Sequence, residues 1–131
     1  IKTVGSLKST NGKLGDIDVV MILKTINNRI EKLIDKDHKI GHSYFLNISR
    51  TQDLKDTFRE KVIPLLEEYF FGDFGKISLV LGSSFILKDS ADGVKFANSN
   101  DYDPSIANDL LERSVYEITG ESSWDFKAIY E

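Results

Sequence analysis

Residues 16–34, DIDVVMILKTINNRIEKLI, decide how this chain folds. Val19, Ile22, Leu23, Ile26, Ile30, Leu33 and Ile34 recur at intervals of three and four. That spacing predicts a helix of about five turns with one apolar stripe. Asp16 is placed to cap it, and Asn27, Asn28, Glu31 and Lys32 fall mainly on its other faces. The run DKDHKIG closes it, with Gly41 as the breaker.

Downstream, Gly41 to Leu46 forms a short connector with large aromatics. A second stripe follows through Leu54, Phe58, Val62, Leu65, Leu66, Tyr69 and Phe70. Ser49 with Gln52, or Thr51, supplies its cap. Pro64 lies inside the stripe and cannot donate a backbone N–H, so a kink or two abutting helices is expected there, with Pro64 in the first turn of the second piece. After Gly72 the pattern changes. Lys76–Leu81 is partly alternating and reads as a strand, Phe85–Leu87 as another, and Asp92-Gly93 as a turn before Val94–Phe96. Asp103-Pro104 starts a helix carrying Ile106, Ala107, Leu110 and Leu111; Tyr116–Thr119 reads as a strand, and Ser122 or Ser123 caps a short last helix.

The expected class is α+β: a helical bundle in the N-terminal half, then a small sheet with short helices. Residues 1–15 read as a linker or an extended entry segment, 16–75 as the helical region, and 76–131 as a small α+β part packed on it. The sequence opens on isoleucine and its single methionine is Met21, so a segment of a longer product is expected.

The 131 residues suit one compact domain, and 40% apolar with 29% charged content is ordinary for a folded soluble chain. A net charge of −4 argues against a general DNA-binding face, which needs concentrated cations. With no cysteine, disulfides, thiolate chemistry and cysteine-held zinc are excluded. The longest apolar-rich stretch, Ile77–Leu87, is broken by Gly82, Ser83 and Ser84 and is too short to span a bilayer.

No G-x-x-x-x-G-K-[ST] loop and no apolar strand ending in Asp-Glu is present, so these residues alone cannot run phosphate-loop NTP hydrolysis. No catalytic residue and no metal ligand is assigned. His38 and His42 are four apart, but Gly41 between them argues against one shared helical face for a metal. Ser43 beside His42 has nucleophile–base chemistry but no orienting third group. Arg29 has the chemistry to hold an anion, with a structural ion pair as the other reading. Glu67 and Glu68 read as a solvated face. Tyr69, Phe70, Phe71 and Phe74 read either as core or as a docking cluster.

Ile26-Asn27-Asn28-Arg29-Ile30, followed by LIDKDHKIGHSYF over residues 33–45, resembles the lid segment of McrB-type AAA+ GTPases, whose pattern is close to IN-x-RI…LLDRDH-x-IGHSYF. FREKVIPLLEEYF, residues 58–70, is similar to that family's F-x-x-KIIPLLQEYF, and residues 76–82 resemble its KI-x-x-VLG. The blocks keep the family's order over roughly residues 16–82; Lys36 stands where the family usually has arginine.

The resemblance implies a C-terminal lid of a motor subunit in a modification-dependent restriction system, closing over nucleotide bound by an upstream core. It implies GTP (or ATP) and Mg in the parent protein, neighbouring ring subunits, an McrC-like nuclease subunit, DNA contact only through that complex, no membrane, and a cytoplasmic location. On this reading His42 and Ser43, then Arg29 and His38, approach nucleotide; otherwise the connector only anchors one helix to the next. The competing class is a protein–protein interaction module docking through Tyr69, Phe70 and Phe74. An independent hydrolase using the histidines is the third.

Overall fold

Residues 12–45, 47–89 and 93–131 are described by a computed structural model. Most of the expected linker, residues 1–11, lies outside the described residues, as does Asp92 of the expected Asp-Gly turn. The described end of that segment is extended. Strand β1 (Lys13–Leu14) pairs antiparallel with β2 (Ile17–Asp18), Leu14 opposite Ile17.

Helix α1, Val19–Leu33, follows at once and buries Val19, Ile22, Ile26 and Ile30. Each such side chain contributes about 2 kcal/mol relative to exposure. Its cap is Asp18 rather than Asp16: the carboxylate accepts from the Met21 N–H at 3.1 Å.

Two short 3₁₀ turns, Lys36–His38 and His42–Phe45, lead to α2, Thr51–Thr57. Here the expected Ser or Thr cap gives way to Asp53, whose Oδ2 accepts from the N–H groups of Ser49 and Arg50 at 3.1 and 3.0 Å. Pro64 neither breaks the chain nor leaves a gap between helices. A π turn, Phe58–Val62, runs directly into α3, Ile63–Tyr69, with Pro64 in its first turn. The wider turn lets the Ile63 N–H reach back to Phe58 O, so the hydrogen-bond ladder is already shifted where the proline has nothing to donate.

The α3 terminus is a left-handed cap. Gly72 N–H donates to Glu67 O at 2.8 Å and Phe71 N–H to Glu68 O at 3.3 Å, the paired bonds of a Schellman motif. The left-handed position, usually glycine, holds Phe71 at φ 52° with 96% of its surface exposed. Phe71→Gly is therefore expected to stabilise the fold by about 1 kcal/mol, because it relieves the Cβ strain and removes almost no packing. Urea unfolding measures this directly, and a destabilised variant would contradict it.

Lys76–Leu81 is helical, not extended. Helix α4 spans Phe74–Leu81, capped by Asp73, whose carboxylate accepts from the Lys76 N–H at 3.2 Å. A strand would place Ile77, Leu79 and Leu81 on one face. Instead Ile77, Val80 and Leu81 are buried while Leu79 is 64% exposed. That is helical spacing.

Strand β3 (Ile86–Asp89) pairs antiparallel with β4 (Val115–Ile118), and α5 (Pro104–Leu111) lies between them in sequence, with Asp103 as its cap. Val94–Phe96 forms no strand among the described residues. A 3₁₀ turn, Glu121–Ser123, precedes the last helix α6, Phe126–Tyr130, whose cap is Asp125 rather than either serine. The whole is helical with two small antiparallel sheets, the expected α+β class. Among the described residues no helix is long and apolar enough to cross a membrane.

One apolar cluster joins the elements, from Val19 on α1 to Ile129 on α6. Its centre is aromatic: Phe58 meets Phe126 at 4.9 Å, Phe85 at 5.6 Å and Phe45 at 6.2 Å, and Phe85 stacks on Trp124 at 5.2 Å. Polar ties close the perimeter. Tyr130 Oη accepts from the Asp18 N–H at 3.0 Å, and Arg59 pairs with Glu121 and with Asp56.

Candidate functional site

The polar connector between α1 and α2 is tied down at several points. At its start Asp35 Oδ1 accepts from the N–H groups of Asp37 and His38 at 2.9 and 3.1 Å and meets His38 Nδ1 at 2.6 Å. The hydrogen bond with His38 holds the Asp35 carboxyl below the usual carboxylate range; charge on His38 and the two backbone N–H groups add to this against partial desolvation. The His38 ring then lies edge-on to Tyr69 at 4.9 Å, linking the connector to α3. Burial pushes the Tyr69 phenol up, with Tyr44 and Glu68 adding.

Further along, Asn27 on α1 clamps the connector. Its Oδ1 accepts from the Ile40 N–H at 2.6 Å and its Nδ2 donates to Ile40 O at 2.9 Å. The Ile40 side chain is buried, Lys39 pairs with Glu31 at 3.1 Å, and Phe45 seals the far end in the core. Between these anchors Gly41, His42 and Ser43 are exposed. The connector is an anchored arch along which the His42 imidazole and the Ser43 hydroxyl are exposed.

Of the four residues proposed to approach nucleotide, three thus share this arch: His42 and Ser43 at the crest, His38 half-exposed at its foot. Arg29 does not join them. Its Nη1 donates to Val80 O at 2.7 Å, satisfying a carbonyl in the last turn of α4. Among the described residues no three His, Asp or Glu side chains converge as a metal site.

The aromatic run divides. Phe70 is in the core at 5% exposure, Tyr69 and Phe74 are half-buried against it, and Phe71 alone stands out in solvent. Asn27 is the residue that pattern reading assigned to an outer face. Its signal was present all the same: a short amide one residue along from a buried isoleucine on an apolar helix.

A rigid apolar helical body carrying a tethered polar edge is the build of a helical lid. Residues 18–78 match the family model described as McrB, alpha-helical lid domain. No curated protein matches the chain.

Proposed function

We propose that this lid closes over a nucleotide held by the AAA+ core of the same polypeptide, with the arch from Asp35 to Phe45 as its nucleotide-facing edge. The observation that carries the reading is the arch itself: anchored by Asn27, Ile40 and Phe45, it leaves His42 and Ser43 exposed on rigid support. A fixed donor or acceptor recognises phosphate or ribose oxygens better than a mobile one, because less ordering entropy is lost on contact. His38, held by Asp35 and Tyr69, positions the foot of the arch. Arg29 acts within the lid, fastening α1 to α4.

The metal and the hydrolytic chemistry belong to the core in this scheme, because the phosphate-loop motif that such hydrolysis uses is not in this sequence. The match to that family model supports GTP as fuel, although nothing in the segment distinguishes guanine from adenine. Ring neighbours, an McrC-type nuclease subunit, a role in restricting modified DNA and a cytoplasmic location enter on the same ground.

The test is GTP and ATP turnover by the longer parent polypeptide, wild type against His42→Ala and Ser43→Ala. Losing one exposed hydrogen bond of about 1 kcal/mol should raise KM roughly fivefold. Unchanged KM and kcat in both variants would remove the arch from the nucleotide site. The second reading, docking of a protein partner by the aromatic run, is favoured by Phe71, a strained and solvent-facing ring without a structural use. It predicts a pull-down that depends on Phe71 and is indifferent to His42.

A further inference from the structure

A strand has two faces and two edges, and β4 uses only one of its edges. That edge is bonded to β3. Tyr116 and Ile118 turn toward the apolar core, the Tyr116 ring lying beside Gly75 of α4. Val115 and Glu117 alternate with them on the outer face and are exposed. β3 and α4 are the elements packed extensively on β4. The register shows which backbone groups line the far edge. Thr119 N–H donates to Phe85 O at 2.9 Å, and these two residues stand one step beyond the Ile86–Ile118 pair. Bonded and non-bonded pairs alternate along an antiparallel ladder, so Leu87–Glu117 and Asp89–Val115 are the bonded ones. Tyr116 and Ile118 therefore aim their N–H and C=O groups away from β3. Those groups have no other partner among the described residues. Buried backbone groups are almost always paired, which places these open ones at the surface.

Native sheets blunt such edges with lysine, proline or a bulge. On β3 the exposed Lys88 does this, and Ile86 beside it is buried. β4 carries none of these devices: it reads Val-Tyr-Glu-Ile, strand-forming residues in unbroken register. We propose that the far edge of β4 accepts an extended segment of another polypeptide as a third, antiparallel strand. The segment's residues opposite Tyr116 and Ile118 are apolar and supply the backbone bonds, and the residue opposite Glu117 is lysine or arginine.

The edge itself selects this occupant. Main-chain bonds give strand addition its affinity, and alternate side chains give its specificity. Residues opposite Tyr116 and Ile118 share their face and extend the apolar side of the ribbon, whereas the residue opposite Glu117 stands on the outer face. Glu117 forms no ion pair among the described residues, so its charge is available to a cation placed across from it. A second copy of the chain fits worse. The antiparallel register that engages Tyr116 and Ile118 of both copies sets Glu117 against Glu117, and like charges directly opposite destabilise a strand pair. The inference stands apart from the nucleotide reading, since it uses no residue of the arch.

The experiment follows the backbone amide resonances of the 131-residue chain while an acetylated Thr-Val-Lys-Val-Thr peptide is added. Neighbouring residues of a strand point to opposite edges, so the two valines of the peptide face β4 and its lysine amide faces away. Saturable shifts at Tyr116 and Ile118, with slower exchange of both amides, are expected. N-methylation of the lysine should leave binding intact, and N-methylation of both valines should abolish it. Glu117→Lys should weaken binding roughly threefold and prefer the peptide with glutamate in place of lysine. Circular dichroism establishes that this variant is folded. The proposal is overturned by absence of saturable shifts, by shifts confined to Ile86 and Lys88, or by equal binding of the valine-methylated peptide. It is also overturned if Glu117→Lys binds the lysine peptide like wild type, or if the chain alone dimerises in sedimentation with the same shifts at Tyr116 and Ile118.

Discussion

Phe58→Ala is expected to lower the free energy of unfolding by about 4 kcal/mol, the usual cost of removing a fully buried phenylalanine. Phe58 has no exposed surface and touches rings contributed by three separate parts of the chain: Phe45 before α2, Phe85 before β3, and Phe126 on α6. None of these can follow a retreating side chain without dragging its own element, so the cavity stays open. It also begins the π turn, where Ile63 N–H bonds to its carbonyl, which limits backbone relaxation. With total stabilities of about 5–15 kcal/mol, the loss is a large share. Urea denaturation should show an earlier midpoint and an unchanged slope, with Phe58→Leu retaining most of the stability. A loss under about 1.5 kcal/mol would mean that the C-terminal part does not share this core.

Asn27→Leu should be the second most damaging change, at about 2–3 kcal/mol. It deletes both hydrogen bonds to Ile40 and strands a backbone N–H and C=O in a partly buried setting, each at about 1–1.5 kcal/mol. Asn27→Asp separates the halves. It keeps an acceptor for the Ile40 N–H but loses the donor to Ile40 O, so it should fall between leucine and wild type. Amide exchange at Ile40 should accelerate in both variants, more in the leucine. Protection at Ile40 as in wild type would show that the arch holds itself.

The apolar stripes of α1 and of α2 through α3 were legible because a helical face announces itself by spacing alone: Ile22, Ile26 and Ile30, then Phe58, Val62, Leu66 and Phe70, are all buried. Lys76–Leu81 misled for a related reason. In so short an apolar run, period two and period three-to-four overlap, and only the exposure of Leu79 separates them. The Asp73 cap and the left-handed Phe71-Gly72 step were the local clues favouring a helix.

Within the candidate site, His38, His42 and Ser43 were readable as a polar connector. Arg29 was not readable in its role, because its acceptor is a carbonyl fifty-one positions away. The same holds for Asn27: sequence gives an amide, and only tertiary placement gives it Ile40. Phe70 and Phe71 are neighbours in sequence with opposite fates, since one ends the buried stripe and the other begins beyond the last helical turn.

Asp89 and Val115 sit opposite one another on the ladder, so the polypeptide leaves the β3–β4 ribbon and rejoins it at nearly the same point in space. Loop closure has already been supplied by the ribbon, and added length there carries only a slowly rising entropic charge. The excursion is in effect a side branch grafted on a stem of four residue pairs. Its surface is free to be rewritten without altering the stem from which it hangs.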